Sequence, residues 1–486
     1  MAAPKVTLTV TDGGLGAAQG TDRLLAVFGV SSIGTIGSMA QFSDPASLTA
    51  SYGYGPGVSL ALHVLKVSGQ PVIFGRASED ESSAASAVSH DGTGLSVMSV
   101  SKTNAALEYF DDHDILVAVT KAGTAGTDVC RVSISLDGGI TSLGIYAVPT
   151  TRVIDIPKTN VRITFTAATL VLGDTYSFST SAARSTGTGT AAGDITALIG
   201  ALQAYAASHG GVYSTMVADA DYRDASSVEA IQAAADALAV GQEFVRVYSA
   251  ARPWDNEAET KASWITDISA DFAELSALRV DVGAGSAYVL DPATGAYVWR
   301  VNTWPRAARA ASTEVHIDSA WVALGYLADV REVDYDERTR GEVASLDNAR
   351  FSTLTTHVGR SGIYITNPRL MAPPGSDYVY TQYGRVMDKV CRTVYSYMLD
   401  RLSQSVRLTP GTGTIAEADA QKIEQGCNAV LTAAVIAPGN VTDARCTVSR
   451  TDNLSIPGAT FHVQVAVLPL GYLKDIAVNL FFSLNV

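Results

Sequence analysis

The spacing of apolar residues separates helical from extended segments, most clearly near the end of the chain. From Asp377 onward, apolar residues recur every three or four positions, the spacing of one helix face, at Val379, Tyr383, Val386, Val390, Val394, Tyr397 and Leu402. After Ala459 the period becomes two, as in strands, at Phe461, Val463, Val465 and Val467 and again at Ile476, Val478, Leu480, Phe482 and Leu484. The final strand needs a partner, because a frayed end would expose Phe481 and Phe482 to water.

Between these patterns the sequence predicts a second helix. Thr414 and Glu417 have the spacing of a capping box, and apolar residues follow at helical spacing until Pro438-Gly439. A short strand is predicted at residues 363–365, ahead of the first helix. Residues 359–486 are therefore predicted to form an α+β C-terminal domain.

The other end of the chain also predicts an isolated strand. Residues 5–11 alternate, with Val6, Leu8 and Val10 on one face, and residues 13–20 form a glycine-rich hinge. A lone amphipathic strand cannot bury its apolar face locally. Residues 1–20 are therefore predicted to be an arm that pairs with a sheet edge, in this subunit or in a neighbour.

Buried apolar runs alternate with helical patterns over residues 21–84 and 191–358, which predicts one discontinuous α/β domain with an open, largely parallel sheet. Between them, residues 85–190 change to period two and are bounded by polar linkers of small residues, which predicts an all-β insertion. Within the α/β domain, Ser226 and Glu229 are predicted to cap a helix. Residues 288–299 are predicted to form a hairpin, and residues 332–350 a charged helical connection.

Both ends of the chain resemble the contractile phage tail sheath family. The ending ATFHVQVAVLPLGYLKDIAVNLFFSLNV, after two helices, is similar to the family's C-terminal domain. The stretch LLAVFGVSSIGTIGSMAQFSDPASLTASYGYGPGVSLALHVLKVSGQPVIFGRA is similar to the family's opening strand, glycine-rich loop, helix and strand. Residues 85–190 have no counterpart, and we expect them to project from the outer surface.

This resemblance implies a structural subunit of a bacteriophage tail, not an enzyme. Many copies would polymerise as a helical array of stacked rings around a tail tube, and would contract without nucleotide hydrolysis to drive the tube through the host envelope. The implied partners are other copies of the chain, the tail tube protein, and the baseplate and tail terminator proteins. The implied location is the virion, after assembly in the host cytoplasm. Two alternatives remain open: an enzyme on the α/β domain, and a static capsid or surface-layer protein.

In a sheath, the terminal strands would be exchanged between subunits. We therefore expect six residues to lie in sheets that neighbouring subunits complete: Val6, Leu8, Val10, Ile476, Val478 and Leu480. Flexible linkers behind such strands would keep subunits joined while their rigid bodies move.

Charge is distributed unevenly along the chain. The net charge of −14 argues against direct binding of nucleic acid, and no apolar run approaches the ~20 residues that cross a bilayer, so no membrane insertion is expected. Residues 350–486 nevertheless carry 12 basic and 9 acidic residues, with the basic excess largely on the long helix. If the chain is a sheath subunit, as the resemblance implies, we expect Arg385, Lys389, Arg392 and Arg401 to face the tube. The alternatives are a solvated basic face or contacts with acidic patches of adjacent subunits.

The sequence contains no recognisable catalytic, cofactor or metal motif. Gly14-Leu15-Gly16 lacks the rest of a dinucleotide-binding loop, and Asp111-Asp112-His113-Asp114 is more typical of a solvated acidic turn than of a metal site. Neither a cofactor nor a metal is therefore expected. Cys130, Cys391, Cys427 and Cys446 include no C-x-x-C pair. Cys391 and Cys427 are interpreted as buried thiols, and disulfides between subunits are left open.

Overall fold

The computed structural model of the protein describes residues 21–209, 216–335, 341–456 and 459–477. Val6, Leu8, Val10, Val478 and Leu480 lie outside these ranges. Within them the chain forms nine α-helices: α1 (Pro45–Tyr52), α2 (Pro56–Ser68), α3 (Ile195–Ser208), α4 (Ala225–Val240), α5 (Lys261–Asp271), α6 (Thr303–Ser312), α7 (Gly341–Asn348), α8 (Thr381–Leu399) and α9 (Glu417–Leu431).

The strands of the described chain are β1 (Leu25–Gly29), β2 (Met39–Phe42), β3 (Val72–Arg76), β4 (Ala84–Ala85), β5 (Ser89–Asp91), β6 (Met98–Lys102), β7 (His113–Lys121), β8 (Gly123–Thr124), β9 (Arg131–Ser135), β10 (Gly144–Ala147), β11 (Val153–Ile156), β12 (Val161–Phe165), β13 (Thr169–Leu170), β14 (Thr175–Ser181), β15 (Met216–Tyr222), β16 (Arg246–Ala250), β17 (Val280–Gly283), β18 (Ser286–Leu290), β19 (Tyr297–Val301), β20 (Val330–Val333), β21 (Leu354–Thr355), β22 (Tyr364–Ile365), β23 (Asp443–Val448) and β24 (Val463–Leu468).

The central sheet has the order β17-β16-β15-β1-β3-β2. All neighbouring strands run parallel except β2, which pairs antiparallel with β3. This confirms the predicted open, largely parallel sheet built from two separate stretches of the chain. One face packs on α3, α4 and α5 through residues such as Leu198, Ile231 and Trp264, and the other packs on α2 and α6 through Leu60 and Trp304.

Helix α2 approaches β1 closely because two glycines face each other. A Cβ atom built on Gly57 would lie 2.6 Å from the carbonyl carbon of Gly29, a distance at which the backbone has to shift. Glycine at both positions therefore sets the distance between the first helix layer and the sheet.

The insertion is all-β, as predicted, and has its own core. Strands β10, β9, β7, β14 and β4 form one sheet, and β11, β12 and β6 form another. Val117, Ile163 and Tyr176 are completely buried in a cluster that, among the described residues, includes one residue of the α/β domain, Ala296. The precise boundaries at residues 84 and 191 stay predictions.

A buried ion pair joins the insertion to the α/β domain. Arg300 on β19 donates to both carboxylate oxygens of Asp111 at 2.6 and 2.5 Å, and both side chains are 4% exposed. Strands β18 and β19 form the predicted antiparallel hairpin, and β20 pairs with β18 on its other side. The insertion is therefore attached to the outer layer formed by this hairpin.

Three local predictions were wrong. Helix α4 is capped by Asp224, whose side chain accepts a hydrogen bond from Ser227 N–H at 2.8 Å, and not by Ser226. Helix α9 begins after Ala416 without a side-chain cap, so Thr414 lies outside the helix, and Glu417 pairs with Arg450. The charged connection is not one helix, since β20 covers its start and only α7 is helical within its described part.

The C-terminal part consists of α8, α9 and the antiparallel pair β23–β24. Both predicted helices are present, and Thr432–Ile436 extends α9 by a π-helical turn. Strand β24 matches the predicted strand at 461–467, but β23 was not predicted. A separate apolar cluster, which includes Val390, Cys427 and Leu431, forms the core of this region.

Candidate assembly interface

The β23–β24 sheet is supported by α9 on one face. Asn428 on α9 accepts a hydrogen bond from Cys446 N–H at 2.7 Å, and its amide donates to the Cys446 carbonyl at 3.4 Å. Cys427 and Cys446, both buried, lie in the same apolar cluster. These contacts fix β23 on the helix, and β24 extends the sheet beyond it.

Strand β24 is only partly covered. Val463, Val465 and Val467 pack against the C-terminal core, while the alternating residues of the strand are exposed. Among the described residues β24 pairs with β23 alone. A two-stranded sheet has little stability by itself, and an edge strand presents unpaired N–H and C=O groups that can receive another strand.

The chain continues from β24 into residues 471–477, which lie against the residues after α6 and those around the start of α8. The hydroxyl of Tyr472 donates to the carbonyl of His316 at 2.6 Å, and its burial raises the pKa of Tyr472. Lys474 pairs with Asp318 and donates to Asn367 Oδ1 at 2.8 Å. We call this segment, with its contacts at Tyr472 and Lys474, the C-terminal clip.

Two apolar side chains of the same segment are exposed. Leu473 is 87% exposed and Ile476 is 72% exposed. Of the residues predicted to lie in strands between subunits, Ile476 is the one in this segment that the structure describes. Its side chain is not covered by the subunit itself. Its pairing with a neighbouring subunit stays a prediction.

Helix α8 holds the start of the described chain. Asp22, next to the predicted N-terminal arm, is 2.9 Å from Lys389 Nζ and 2.9 Å from Arg392 Nη2. Burial alone would raise the pKa of Asp22, but the hydrogen bond from Lys389 and the charges of both cations hold it below its usual value. Two residues predicted to face a tube therefore bind the root of the arm within the same subunit.

Arg385 does not lie on the same surface. Its side chain is buried, its Nη2 donates to the carbonyl of Thr313 at 3.1 Å, and burial lowers its pKa. The prediction that Arg385 faces outward toward a tube is therefore wrong for this structure of the single chain. The helix turns Arg385 into the contact with the α/β domain, which the spacing of the basic residues alone did not reveal.

Arg401, just after α8, is the fourth predicted tube-facing residue. Its guanidinium lies over the ring of Tyr397, 3.3 Å from the centroid, and its Nη1 donates to the Tyr397 carbonyl at 2.7 Å. The side chain is only partly covered. A tube contact for Lys389, Arg392 and Arg401 stays a prediction.

A cavity of about 670 Å³ lies where the insertion meets the carboxyl end of β15, a position at which α/β enzymes bind ligands. Burial and the neighbouring Asp219 raise the pKa of Asp221 there to about 6. However, Asp221 already accepts a hydrogen bond from Ser185 N–H at 3.1 Å and lies 3.7 Å from Arg184. These contacts hold chain segments together and do not favour the enzyme alternative.

Metal-binding clusters and membrane-spanning helices are both absent from the described ranges. In that part of the chain no cluster of three or more histidine, cysteine, aspartate or glutamate side chains has a geometry suited to a metal ion. No helix there combines the length and apolar character that a membrane span requires.

Two sequence families cover nearly the whole chain. The DUF2586 N-terminal domain matches residues 3–369, and the DUF2586 C-terminal domain matches residues 377–486. The chain therefore belongs to the DUF2586 family. No curated protein matches its sequence.

Several solved structures are similar at low identity. The sheath tail protein of Desulfitobacterium hafniense shares 12% identity with a TM-score of 0.47, over 96% of this chain and 100% of that one. The sheath tail protein of Listeria innocua shares 12% with a TM-score of 0.45, over 91% and 94%. A chain of the anti-feeding prophage baseplate in its contracted state shares 13% with a TM-score of 0.47, over 100% of both. All three TM-scores are below 0.5, and likeness of this degree assigns no function.

Proposed function

We propose that the protein is a structural subunit of a contractile phage tail sheath that polymerises by exchanging its terminal strands with neighbouring copies. The observation that carries this proposal is the β23–β24 sheet, which is supported on one face and whose strand β24 pairs with β23 alone among the described residues. Backbone pairing at such an edge gives affinity without a dedicated side-chain site. The sequence resemblance of both chain ends to sheath proteins supports the same assignment.

The arrangement suits a polymer that changes shape. The arm at residues 1–20 is predicted to have an apolar face formed by Val6, Leu8 and Val10. No neighbouring segment of the sequence is predicted to cover this face. A strand donated from one copy to the next makes a heterologous contact, which propagates as a helix unless it closes into a ring. Contraction around a tube, with tube, baseplate and terminator proteins as partners in a virion, is the function that such a polymer would serve.

Deletion of residues 1–12 tests the strand exchange. We expect the shortened protein to fold as a monomer, with unchanged circular dichroism, and to form no long polymers in sedimentation or negative-stain electron microscopy. The full chain under the same conditions is the control. Sheaths of normal length from the deletion would contradict the proposal.

The tube contact requires a test that separates it from the arm. Lys389→Glu would remove a candidate tube contact and would also break the pair with Asp22. Asp22→Asn removes only the negative charge of Asp22, which holds the start of the arm on α8, and is the matched control. We expect Lys389→Glu to reduce tube binding more than Asp22→Asn does. Equal effects of the two substitutions would assign Lys389 to the arm alone.

A separate proposal concerns the position of the insertion in the polymer. We propose that residues 85–190 lie on the outer surface of the polymer and are not needed for its contacts. Excision between Ala84 and Ala191 also removes Asp111, the buried partner of Arg300, so the excised protein should carry Arg300→Gln as well. Polymers of normal appearance are expected. A well-folded excised protein that cannot polymerise would make the insertion part of the assembly scaffold.

A further inference from the structure

The cavity of about 670 Å³ between the insertion and the α/β domain has walls from both. His113, at the start of β7, and Thr180, near the end of β14, belong to the insertion. Trp299 and Arg300 on β19 and Trp304 at the start of α6 belong to the α/β domain. Trp299 is 40% exposed, so the cavity opens to solvent at this residue. Its volume is in the range of small-molecule sites, roughly 300–1,000 Å³.

Three buried side chains of the cavity wall have nitrogen atoms that bind no other group of the described chain. Both ring nitrogens of His113, Nε of Arg300 and Nε1 of Trp304 lack a hydrogen-bond partner there, although the three residues are only 3%, 4% and 1% exposed. The sequence suggested a solvated turn around His113, whereas Asp111 and His113 are both buried. Because unpaired buried polar groups cost free energy, the wall favours an occupant that supplies hydrogen-bonding atoms.

The unpartnered nitrogens specify what that occupant has to offer. Arg300 Nε and Trp304 Nε1 can only donate, so each needs an acceptor atom. Burial lowers the pKa of His113, so its neutral ring offers one donor and one acceptor. A hydroxyl group both accepts and donates hydrogen bonds. A molecule with several hydroxyl groups therefore matches all three side chains.

The charges of the lining argue against an anionic occupant. Five carboxylates line the cavity against three cations, and Arg184 and Arg300 already pair with aspartates. The charged lining residues are Asp112, Asp114, Asp221, Glu332 and Asp334, with Arg184, Lys261 and Arg300. A cation would in turn face the donors Arg300 Nε and Trp304 Nε1 without offering an acceptor. The lining therefore fits a neutral molecule best.

A row of aromatic rings on the β18–β19 hairpin also lines the cavity. The ring centroid of Tyr288 lies 5.0 Å from that of Trp299 and 5.4 Å from that of Tyr297. The faces of such rings pack on apolar C–H groups, which sugar rings present together with their hydroxyl groups. Aromatic faces beside unpaired donors and an acceptor are the two features that carbohydrate binding requires.

We propose that this cavity binds a neutral carbohydrate, with hydroxyl groups on His113, Arg300 and Trp304 and a sugar ring against Trp299. The inference goes beyond the proposed assembly function and does not depend on it. Because the walls come from both the insertion and the α/β domain, a bound sugar would join the two, in addition to the pair of Arg300 with Asp111. The sugar should therefore raise the melting temperature of the chain.

The test is isothermal titration calorimetry of the full chain. The probes are neutral hexoses, N-acetylhexosamines and their disaccharides, with citrate and spermidine as charged comparators. His113→Phe removes both ring nitrogens, and His63→Phe is its matched control, because His63 is also buried with an unpartnered Nδ1 but does not line this cavity. Trp299→Ala removes the exposed ring, and its control is Trp321→Ala, at a residue that is 58% exposed and lies outside this lining.

We expect neutral sugar to bind the natural chain, His113→Phe to weaken that binding about tenfold, and Trp299→Ala to weaken it by roughly three- to tenfold. His63→Phe and Trp321→Ala should bind like the natural chain. No binding at sugar concentrations up to about 10 mM would leave water as the occupant and overturn the proposal. Tighter binding of citrate or spermidine, or unchanged affinity in both cavity variants, would also overturn it. Circular dichroism checks folding, and Trp299→Ala decides alone if His113→Phe is unfolded.

Discussion

A buried ion pair connects α8 to the central sheet, and removing its carboxylate should be among the most damaging single changes in the chain. Arg246 on β16 donates to Asp388 on α8 through Nε at 2.6 Å and through Nη2 at 2.8 Å, and both side chains are 4% exposed. Arg279 adds a third hydrogen bond to Asp388 at 3.3 Å. Asp388→Ala would leave the Arg246 guanidinium buried without its counter-charge.

The expected loss of stability in Asp388→Ala follows from the burial of the Arg246–Asp388 pair. Breaking a buried pair on one side costs about 3–5 kcal/mol, since the remaining charge cannot regain its hydration. The Leu278 and Gly384 carbonyls, which also accept from Arg246 at 2.5 and 3.2 Å, offset only part of that loss. We therefore expect Asp388→Ala to lower the free energy of unfolding of the monomer by roughly 3 kcal/mol. Denaturation in guanidinium chloride, monitored by circular dichroism, measures this change in the free energy of unfolding.

Two further variants separate the effect of the buried pair from that of an exposed one. Asp236 also pairs with Arg279, at 3.0 Å, but its side chain is 57% exposed, so Asp236→Ala should cost less than about 1 kcal/mol. The double variant Arg246→Met, Asp388→Leu removes both buried charges and should recover much of the stability lost in Asp388→Ala. If Asp388→Ala is no more destabilising than Asp236→Ala, the pair does not hold α8 on the sheet.

Substitutions at four other positions have distinct expected effects. Asp111→Ala should destabilise by about 3 kcal/mol, because it leaves buried Arg300 with Asp112, at 3.8 Å, in place of its two close hydrogen bonds, and limited proteolysis should then release the insertion. Gly57→Ala should cost about 1–3 kcal/mol through its clash with β1, whereas Gly200→Ala, with open space around its Cβ on α3, should stabilise by about 0.5–1 kcal/mol in the same denaturation assay. Burial lowers the pKa of His63 from 6.5 to about 4, so the unfolded chain binds its proton first and stability falls as the pH drops from about 6.5 to about 4. His63→Gln should flatten this part of a stability-against-pH curve, and an unchanged curve would contradict the burial argument.

The sequence was most informative where one apolar face was wide and continuous. The stripe from Val379 to Leu402 predicted α8 because a helix buried on one side repeats its apolar positions every turn. Strand β23 was missed because its buried side carries only Ala444, Cys446 and Val448, and two of these are small residues. Such a strand has too little apolar contrast between its faces to stand out from a loop.

The spacing of residue types along the sequence could not predict which distant residues contact each other. Lys389 and Arg392 lie on one face of α8, as their spacing predicted, but their partner Asp22 lies far away in the chain. Likewise, nothing local in GYLKD identifies Asp318 as the partner of Lys474. Helix periodicity gives the direction of a side chain, and only the tertiary fold determines what it meets there.

The contacts around α8 differ in how easily they can be exchanged. The Arg246–Asp388 pair is almost completely buried, whereas Lys389, Arg392 and Asp22 are 13–21% exposed on their side chains, and Lys474 is 22% exposed. Water reaches the second group, so breaking those contacts costs less than breaking the buried pair. A subunit built this way keeps α8 fixed to the sheet, while the contacts of Asp22 and Lys474 can be exchanged more easily. Under the proposed assembly role, rearrangement of the polymer would therefore proceed through the two terminal segments and leave the body of each subunit intact.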